Sequence, residues 1–167
     1  MTVGTGLTRW FPDPLETREA VEAFVATAVD LAAQGLALPF AIMERRTGRI
    51  AGTTRLGAIV PEYRRVEIGW TFVGRSWQRG PVNTAAKLLL MTHAFERLNC
   101  LRAELKTDAR NAVSRAAIAR LGATEEGMLR SHIICADGHH RDTVYFSIVA
   151  PEWPAVKERL GAFLDHA

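Results

Sequence analysis

Apolar residues recur along this chain with two periods, and the switches between them divide it into elements. Val21, Phe24, Val25, Ala28, Val29 and Ala32 return at the three- and four-residue spacing of one helix face. Asp13-Pro14 predicts an N-cap with proline at the first helical position, and Gly35 predicts the stop. Pro39 to Met43 is a short apolar strand, Arg46-Thr47-Gly48-Arg49 a turn, and Ile50 to Ile59 the second arm of a hairpin. Beyond Pro61, Val66, Ile68, Trp70 and Phe72 alternate with Glu67, Gly69, Thr71 and Val73. That is a strand with two distinct faces, the first apolar and the second bearing Glu67.

Gly74 to Val82 holds two glycines, a proline and polar residues, and reads as a loop. Ala86, Leu89, Leu90, Ala94, Phe95 and Leu98 then mark an amphipathic helix, with Asn83 or Thr84 as its expected N-cap. Leu101, Ala103 and Leu105 alternate as a strand running into Thr107, and Asp108 to Asn111 is a turn. Val113, Ala117, Ile118 and Leu121 form a further helix stopped at Gly122. Two strands meet at Ala136-Asp137-Gly138, a strong hairpin signal, and Pro151 to Phe163 closes the chain as a helix. The order is helix, hairpin, strand, helix, strand, helix, hairpin, helix. It mixes antiparallel pairs with one strand-helix-strand crossover, so the expected fold class is α+β, a mixed sheet with helices on both faces. Regular doubly wound alternation is absent.

Composition narrows the picture. The 167 residues lack repeats and linkers, which makes residues 1–167 one expected domain. The net charge of +3 is too mild and too scattered for nucleic acid, yet it favours an anionic ligand. Cys100 and Cys135 form neither a disulfide framework nor a metal cluster, and His139-His140 lacks a third ligand at sensible spacing. No metal is expected. With no apolar run long enough to span a bilayer and no signal-peptide pattern, no membrane role is expected and the cytoplasm is the default location.

The segment most suggestive of chemistry is Gly74-Arg75-Ser76-Trp77-Gln78-Arg79-Gly80-Pro81-Val82 with the helix that follows. A helix start offers unpaired N–H groups and the positive end of the macrodipole, which suits a pyrophosphate, and Arg75 and Arg79 add charge at its rim. Alone, the loop is equally well an ordinary strand-to-helix connection. Its company is more specific. Val66-Glu67-Ile68-Gly69-Trp70, the Gln78 loop, Asn111-Ala112-Val113-Ser114 and Ala119-Arg120-Leu121-Gly122-Ala123 together resemble the GNAT (Gcn5-related N-acetyltransferase) superfamily. Thr107-Asp108-Ala109-Arg110-Asn111, Asp137-Gly138-His139-His140-Arg141-Asp142 and Glu152-Trp153-Pro154 look like its ribosomal-protein alanine N-acetyltransferase branch.

The resemblance implies a three-layer α/β/α acyl-CoA N-acyltransferase fold whose mixed sheet is mostly antiparallel. It implies direct transfer of acetyl from acetyl-CoA to a primary amine, a protein N-terminus or a small molecule. Cofactor contacts are expected at Phe72, Val73, Gln78, Arg79, Gly80, Val82, Asn83, Thr84, Asn111 and Ser114. Ser114 would serve the departing thiolate and Asn111 the pantetheine arm. Strand alternation places Glu67 on the acceptor face, where it is the candidate base. Capping chemistry at Asn111 and Ser114, and a solvated or salt-bridged Glu67 beside Arg64 and Arg65, are the ordinary alternatives.

Three departures from the family pattern stand out. Pro81 and Asn83 occupy the loop's glycine positions, and Pro81 has no N–H to give a phosphate. Many members place a tyrosine acid at the position of Ile118, which excludes that donor here. The family's opening strand and helix have no room in Met1 to Pro12, so this chain lacks them or takes an edge strand from a partner, with a homodimer as the natural form. Ile118 and Pro81 keep open a CoA-binding module without catalysis. An antibiotic or polyamine acetyltransferase would need an acidic cluster, which the sequence does not show.

Overall fold

The computed structural model describes residues 6–166. Helix α1 (Arg18–Ala33) begins later than the Asp13-Pro14 pattern predicts, because Leu15 N–H is bound to Thr8 Oγ1 at 2.8 Å and buried, which holds the preceding segment out of helical register. Thr17 is the actual cap, its hydroxyl accepting from Ala20 N–H. Gly35, at φ +71°, ends the helix as expected, with Leu36 N–H bonded back to Leu31.

Strands β1 (Leu38–Glu44) and β2 (Arg49–Val60) form the hairpin, and β3 (Arg65–Val73) pairs antiparallel with β2. Helix α2 (Pro81–Thr92) continues through one π-helical turn at His93–Arg97 and crosses to β4 (Arg102–Asp108), the parallel neighbour of β3. After α3 (Ala112–Leu121), strands β5 (Thr124–Ile134) and β6 (His140–Val149) make the second hairpin, and α4 (Trp153–Asp165) closes the chain. The six strands lie in the order β1-β2-β3-β4-β6-β5, antiparallel at every pair except β3/β4. Among the described residues no strand precedes α1.

Two layers cover the sheet. On one face Leu56, Val66, Ile68, Leu105 and Ile148 pack with Leu90, Met91 and Phe95 of α2 and its π turn, Ile118 and Leu121 of α3, and Trp153 and Leu160 of α4. The π turn stacks Phe95 on Trp153 at 5.3 Å between centroids. On the other face α1 covers the β2–β3 half, where Phe24 meets Phe72 at 6.4 Å and Phe11 at 6.1 Å. Leu89, Leu98, Leu101 and Val113, apolar in the sequence pattern, are all exposed, because the helix and strand faces that meet the core are narrower than the apolar runs.

The alternation of β3 breaks at Trp70. Arg55 pairs with Gly69 and Thr53 with Phe72, so two β2 steps oppose three on β3, a bulge with Trp70 at φ +50°. Val66 and Ile68 face α2 as expected. Past the bulge the phase inverts: Val73 joins Ala86 of α2 in a second small core, while Phe72 points to α1. The expected grouping of Trp70 and Phe72 with Val66 is thereby corrected, since one extra residue moves each later side chain to the opposite face.

Close packing around the bulge is testable at Gly52, which pairs with Val73. A Cβ there would lie 2.1 Å from the Phe72 carbonyl oxygen, a backbone atom that cannot swing aside. Gly52→Ala is expected to cost more than about 2 kcal/mol in urea unfolding; a loss within about 0.5 kcal/mol would contradict the packing described.

Candidate active site

The parallel pairing of β3 with β4 runs only from Arg65/Arg102 to Glu67/Glu104. From Ile68 onward β3 keeps β2 on one side and leaves β4, which continues to Asp108 against β6 alone. A gap therefore opens between the two central strands, edged by backbone groups of β3 that no strand satisfies. Glu67 stands where it opens and the bulge lies next along it.

Glu67 lies opposite the Val66/Ile68 face, as the alternation predicts, and its side chain is 13% exposed. Its Oε2 accepts from Lys106 Nζ at 2.7 Å. The ion-pair partner is thus Lys106, 39 residues away, and not Arg64 or Arg65. Arg64 bonds the Asn99 carbonyl, and Arg65 bonds Glu104. Burial opposes the charge on Lys106, but Glu67 and the phenol of Tyr145 outweigh it and raise its pKa. Lys106 also stands 4.7 Å above the Tyr145 ring. Around them a polar sheet face extends through Arg65, Arg102, Glu104, Glu126 and Ser147, with Arg102 bound to both Glu104 and Glu126. The Glu126 carboxyl is held down to about 2, chiefly by Arg102.

At the far end of the gap, α2 starts at Pro81 with Gly80 as N-cap, not at Asn83 or Thr84. Proline at the first helical position forfeits an N–H that has no intrahelical partner anyway, and its fixed φ suits the helix. The unpaired donors of the first turn are then those of Val82 and Asn83. Arg79, at φ +61°, is exposed beside them. Gln78 is exposed, and its Nε2 donates to the Val73 carbonyl at 3.0 Å, tying the loop to the strand end. Thr84 is buried, and its hydroxyl accepts from Arg120. Asn83 Oδ1 is buried with no hydrogen-bond partner among the described residues. Beside this helix start lies an open cavity of about 510 Å³ bounded by Arg79, Gly80, Pro81, Ala162, Phe163 and His166. Arg120 sits 4.4 Å over the Phe163 ring next to it.

Asn111 caps α3, its Oδ1 accepting from Ser114 N–H at 3.0 Å, so the local capping role is present. Ser114 is half-buried in the first turn, and Ile118 is buried in the core. His139, in the second hairpin's turn, donates its backbone N–H to Asp137, and the described residues hold no cluster of three or more metal-ligating side chains.

The structure adds Lys87, Lys106 and Arg120, which sequence reasoning left unassigned. Lys106 and Arg120 carried no signal, because each is defined by a partner far along the chain. Lys87 did carry one: it falls in step with Thr84, Met91 and Ala94, the buried stripe of α2. Its Nζ donates to Thr71 Oγ1 at 2.7 Å and reaches Thr54 Oγ1 at 3.4 Å, with no carboxylate within ion-pairing distance among the described residues.

A mixed sheet splayed at its parallel pair, with a bulge in the splay and a helix start at its end, is the framework of the acyl-CoA N-acyltransferase fold. Residues 4–124 match the family model described as the Acetyltransferase (GNAT) domain, and the chain belongs to this family of N-acetyltransferases. It is 33% identical over 110 residues to the ribosomal N-acetyltransferase candidate YdaF of Bacillus subtilis (strain 168), covering 66% of this chain and 59% of that protein's length. The crystal structure of a GCN5-related N-acetyltransferase from Brucella melitensis superposes with a TM-score of 0.84 at 33% identity, covering 93% of this chain and 69% of that one. Mycobacterium smegmatis RimJ, solved in complex with CoA-disulfide, superposes with a TM-score of 0.74 at 29% identity, covering 86% and 68%. No helix among the described residues is long and apolar enough to cross a membrane.

Burial without a counter-charge pulls the Lys87 pKa from 10.5 down to about 7. The unfolded chain then binds more protons between those values, so this residue makes stability rise with pH across that window. Lys87→Met is expected to be more stable than the parent below pH 7, by on the order of a few kcal/mol. The difference should shrink as pH climbs toward 10.5. Chemical unfolding of both proteins across pH checks this, and a pH-independent difference would contradict it.

Proposed function

We propose that this protein transfers the acetyl group of acetyl-CoA directly to a primary amine, on a protein N-terminus or a small molecule, in a ternary complex. The observation that carries the reading is the gap between β3 and β4, which opens at Glu67 and leads past the bulge to the α2 start. An extended pantetheine arm fits such a gap as a pseudo-strand, pairing with the backbone of Phe72 and Val73. The pyrophosphate then meets the N–H groups of Val82 and Asn83, with Gly80 and Arg79 at the loop rim and Gln78 and Thr84 holding the loop and helix in place. CoA-disulfide in the RimJ structure supports this class of ligand.

In the reaction the amine nitrogen attacks the thioester carbon, the C–S bond breaks, and one amine proton must leave. Glu67 takes that proton, and Lys106 orients its carboxylate through the 2.7 Å ion pair. Backbone N–H groups along the bulged stretch of β3 receive the developing oxyanion. Ser114 donates to the departing thiolate. Asn111, whose Oδ1 is committed to capping, offers its side-chain NH₂ to the pantetheine arm. A thiolate has a reference pKa of roughly 8.5 and leaves without needing a strong acid, which fits a buried Ile118 where relatives place tyrosine. The name of YdaF makes a ribosomal-protein N-terminus the first acceptor to try. The uncovered edge of β1, flanked by exposed Leu36, Leu38, Phe40 and Met43, supports a homodimer.

Release of free CoA thiol from acetyl-CoA with a panel of amines and N-terminal peptides tests the reading. Tight CoA binding without turnover would show a binding module instead. Glu67→Gln is expected to lower kcat by about 100-fold or more with little change in CoA affinity. Wild-type turnover in that variant would remove Glu67 from the chemistry.

A further inference from the structure

Lys87 occupies a place in the core that an apolar side chain would fill at less cost. Its residue is 5% exposed, its stem lies in the buried stripe of α2, and its ammonium ends on two threonine hydroxyls. Burying a cation without a carboxylate opposes folding, so its presence points to a task other than packing.

The two hydroxyls locate that task. Thr54 is the single β2 residue between Thr53 and Arg55, and it stands opposite the two β3 residues, Trp70 and Thr71, that lie between Gly69 and Phe72. The Thr54 and Thr71 hydroxyl oxygens are 2.7 Å apart, and Thr71 Oγ1 also donates to the Gly69 carbonyl at 3.2 Å. Lys87 Nζ donates to both hydroxyls, and because Thr71 gives its one proton to the Gly69 carbonyl, Thr54 must be the donor in the Thr54–Thr71 bond. Lys87 and Thr54 both donate to Thr71, and Thr71 passes its one proton to Gly69. The chain therefore ends on the peptide joining Gly69 to Trp70, the residue at φ +50°. A bulky residue keeps that conformation only where its surroundings over-determine it.

We propose that Lys87 and Thr71 form a brace behind the β3 bulge that fixes the Gly69–Trp70 peptide and so sets where the acetyl group sits for transfer. This rests on the transfer reading above. Both are positioning residues, since neither needs to touch the reacting atoms. The hydrogen bond to the Gly69 carbonyl also polarises that peptide, which makes its N–H a better donor. Because α2 carries both Lys87 and the cofactor-facing first turn, the brace fixes the bulge and the phosphate site relative to each other. A depressed lysine pKa fits a group held this dry.

Four variants test the brace: Lys87→Met, Thr71→Val, Thr71→Ser, and the Lys87→Met/Thr71→Val double. Lys87→Met and Thr71→Val should each lower kcat by about 10-fold or more while KM for acetyl-CoA stays within about 3-fold. Thr71→Ser, which keeps the hydroxyl, should stay within about 3-fold of the parent, and the double variant should lose no more than the worse single. Parent-like kcat in Lys87→Met, or losses that multiply in the double, overturn the brace. Amide hydrogen exchange at Trp70 and Thr71 reads it without turnover, with about 10-fold faster exchange expected in Lys87→Met and Thr71→Val but not in Thr71→Ser. Unchanged exchange overturns it. If the parent protein releases no thiol with any amine, the transfer reading has failed and the exchange result alone decides the brace. If Lys87→Met does not fold, the nearly isosteric Thr71→Val decides it.

Discussion

One extra residue in β3 shapes the centre of this molecule. Without the bulge at Trp70, β3 would alternate evenly to its end, with Phe72 on the α2 side and Val73 on the α1 side. The bulge reverses that order, so Val73 meets Ala86 beneath α2 and Phe72 joins Phe11 and Phe24 beneath α1. It also adds local twist, which accompanies the departure of β3 from β4 after Glu67. The aromatic and aliphatic layers of this end both depend on that single insertion, and the gap between the central strands opens just before it.

Charge is arranged around the bulge in an unusual way. Arg55, paired with Gly69, is buried on the α1 side with its guanidinium 4.8 Å from the Trp70 ring and 5.1 Å from that of Phe24. Lys87 lies on the opposite side, against Thr71. Burial lowers the pKa of both cations, so each works against folding and is held by aromatic faces or hydroxyls in place of carboxylates. The paired charges sit elsewhere: Glu67 with Lys106, and Arg102 with Glu104 and Glu126, on the open face of β3, β4 and β5.

The α2 start shows how one local substitution is absorbed. Pro81 stands where the family pattern has glycine, and an N–H is lost there. Placed at the first helical position, it removes a donor that the helix does not use and leaves Val82 and Asn83 as donors. The loop in turn is fastened to β3 by Gln78, and the first turn of α2 is fastened to α3 by the Thr84–Arg120 bond.

Much of this was legible in the residues themselves. Helices α1 to α3 and strands β3 and β4 announced themselves by period, the second hairpin by its turn residues, and the element order implied the crossover from β3 to β4, because amphipathic spacing and turn chemistry are local properties. Glu67 could be placed on the polar face for the same reason. Tertiary structure decided the rest. The bulge was hidden because Gly69-Trp70-Thr71 alternates as smoothly as any strand, and only pairing with Thr53 and Arg55 shows the surplus residue. The cap of α1 moved to Thr17 because Thr8 captured Leu15, a contact seven residues apart. Lys106 as the partner of Glu67 depended on a parallel pairing across 39 residues, and Lys87 on which strand lies under its helix. Periodicity reports which side of an element is apolar. It cannot report which distant polar atom waits there, since that is fixed only when the elements pack.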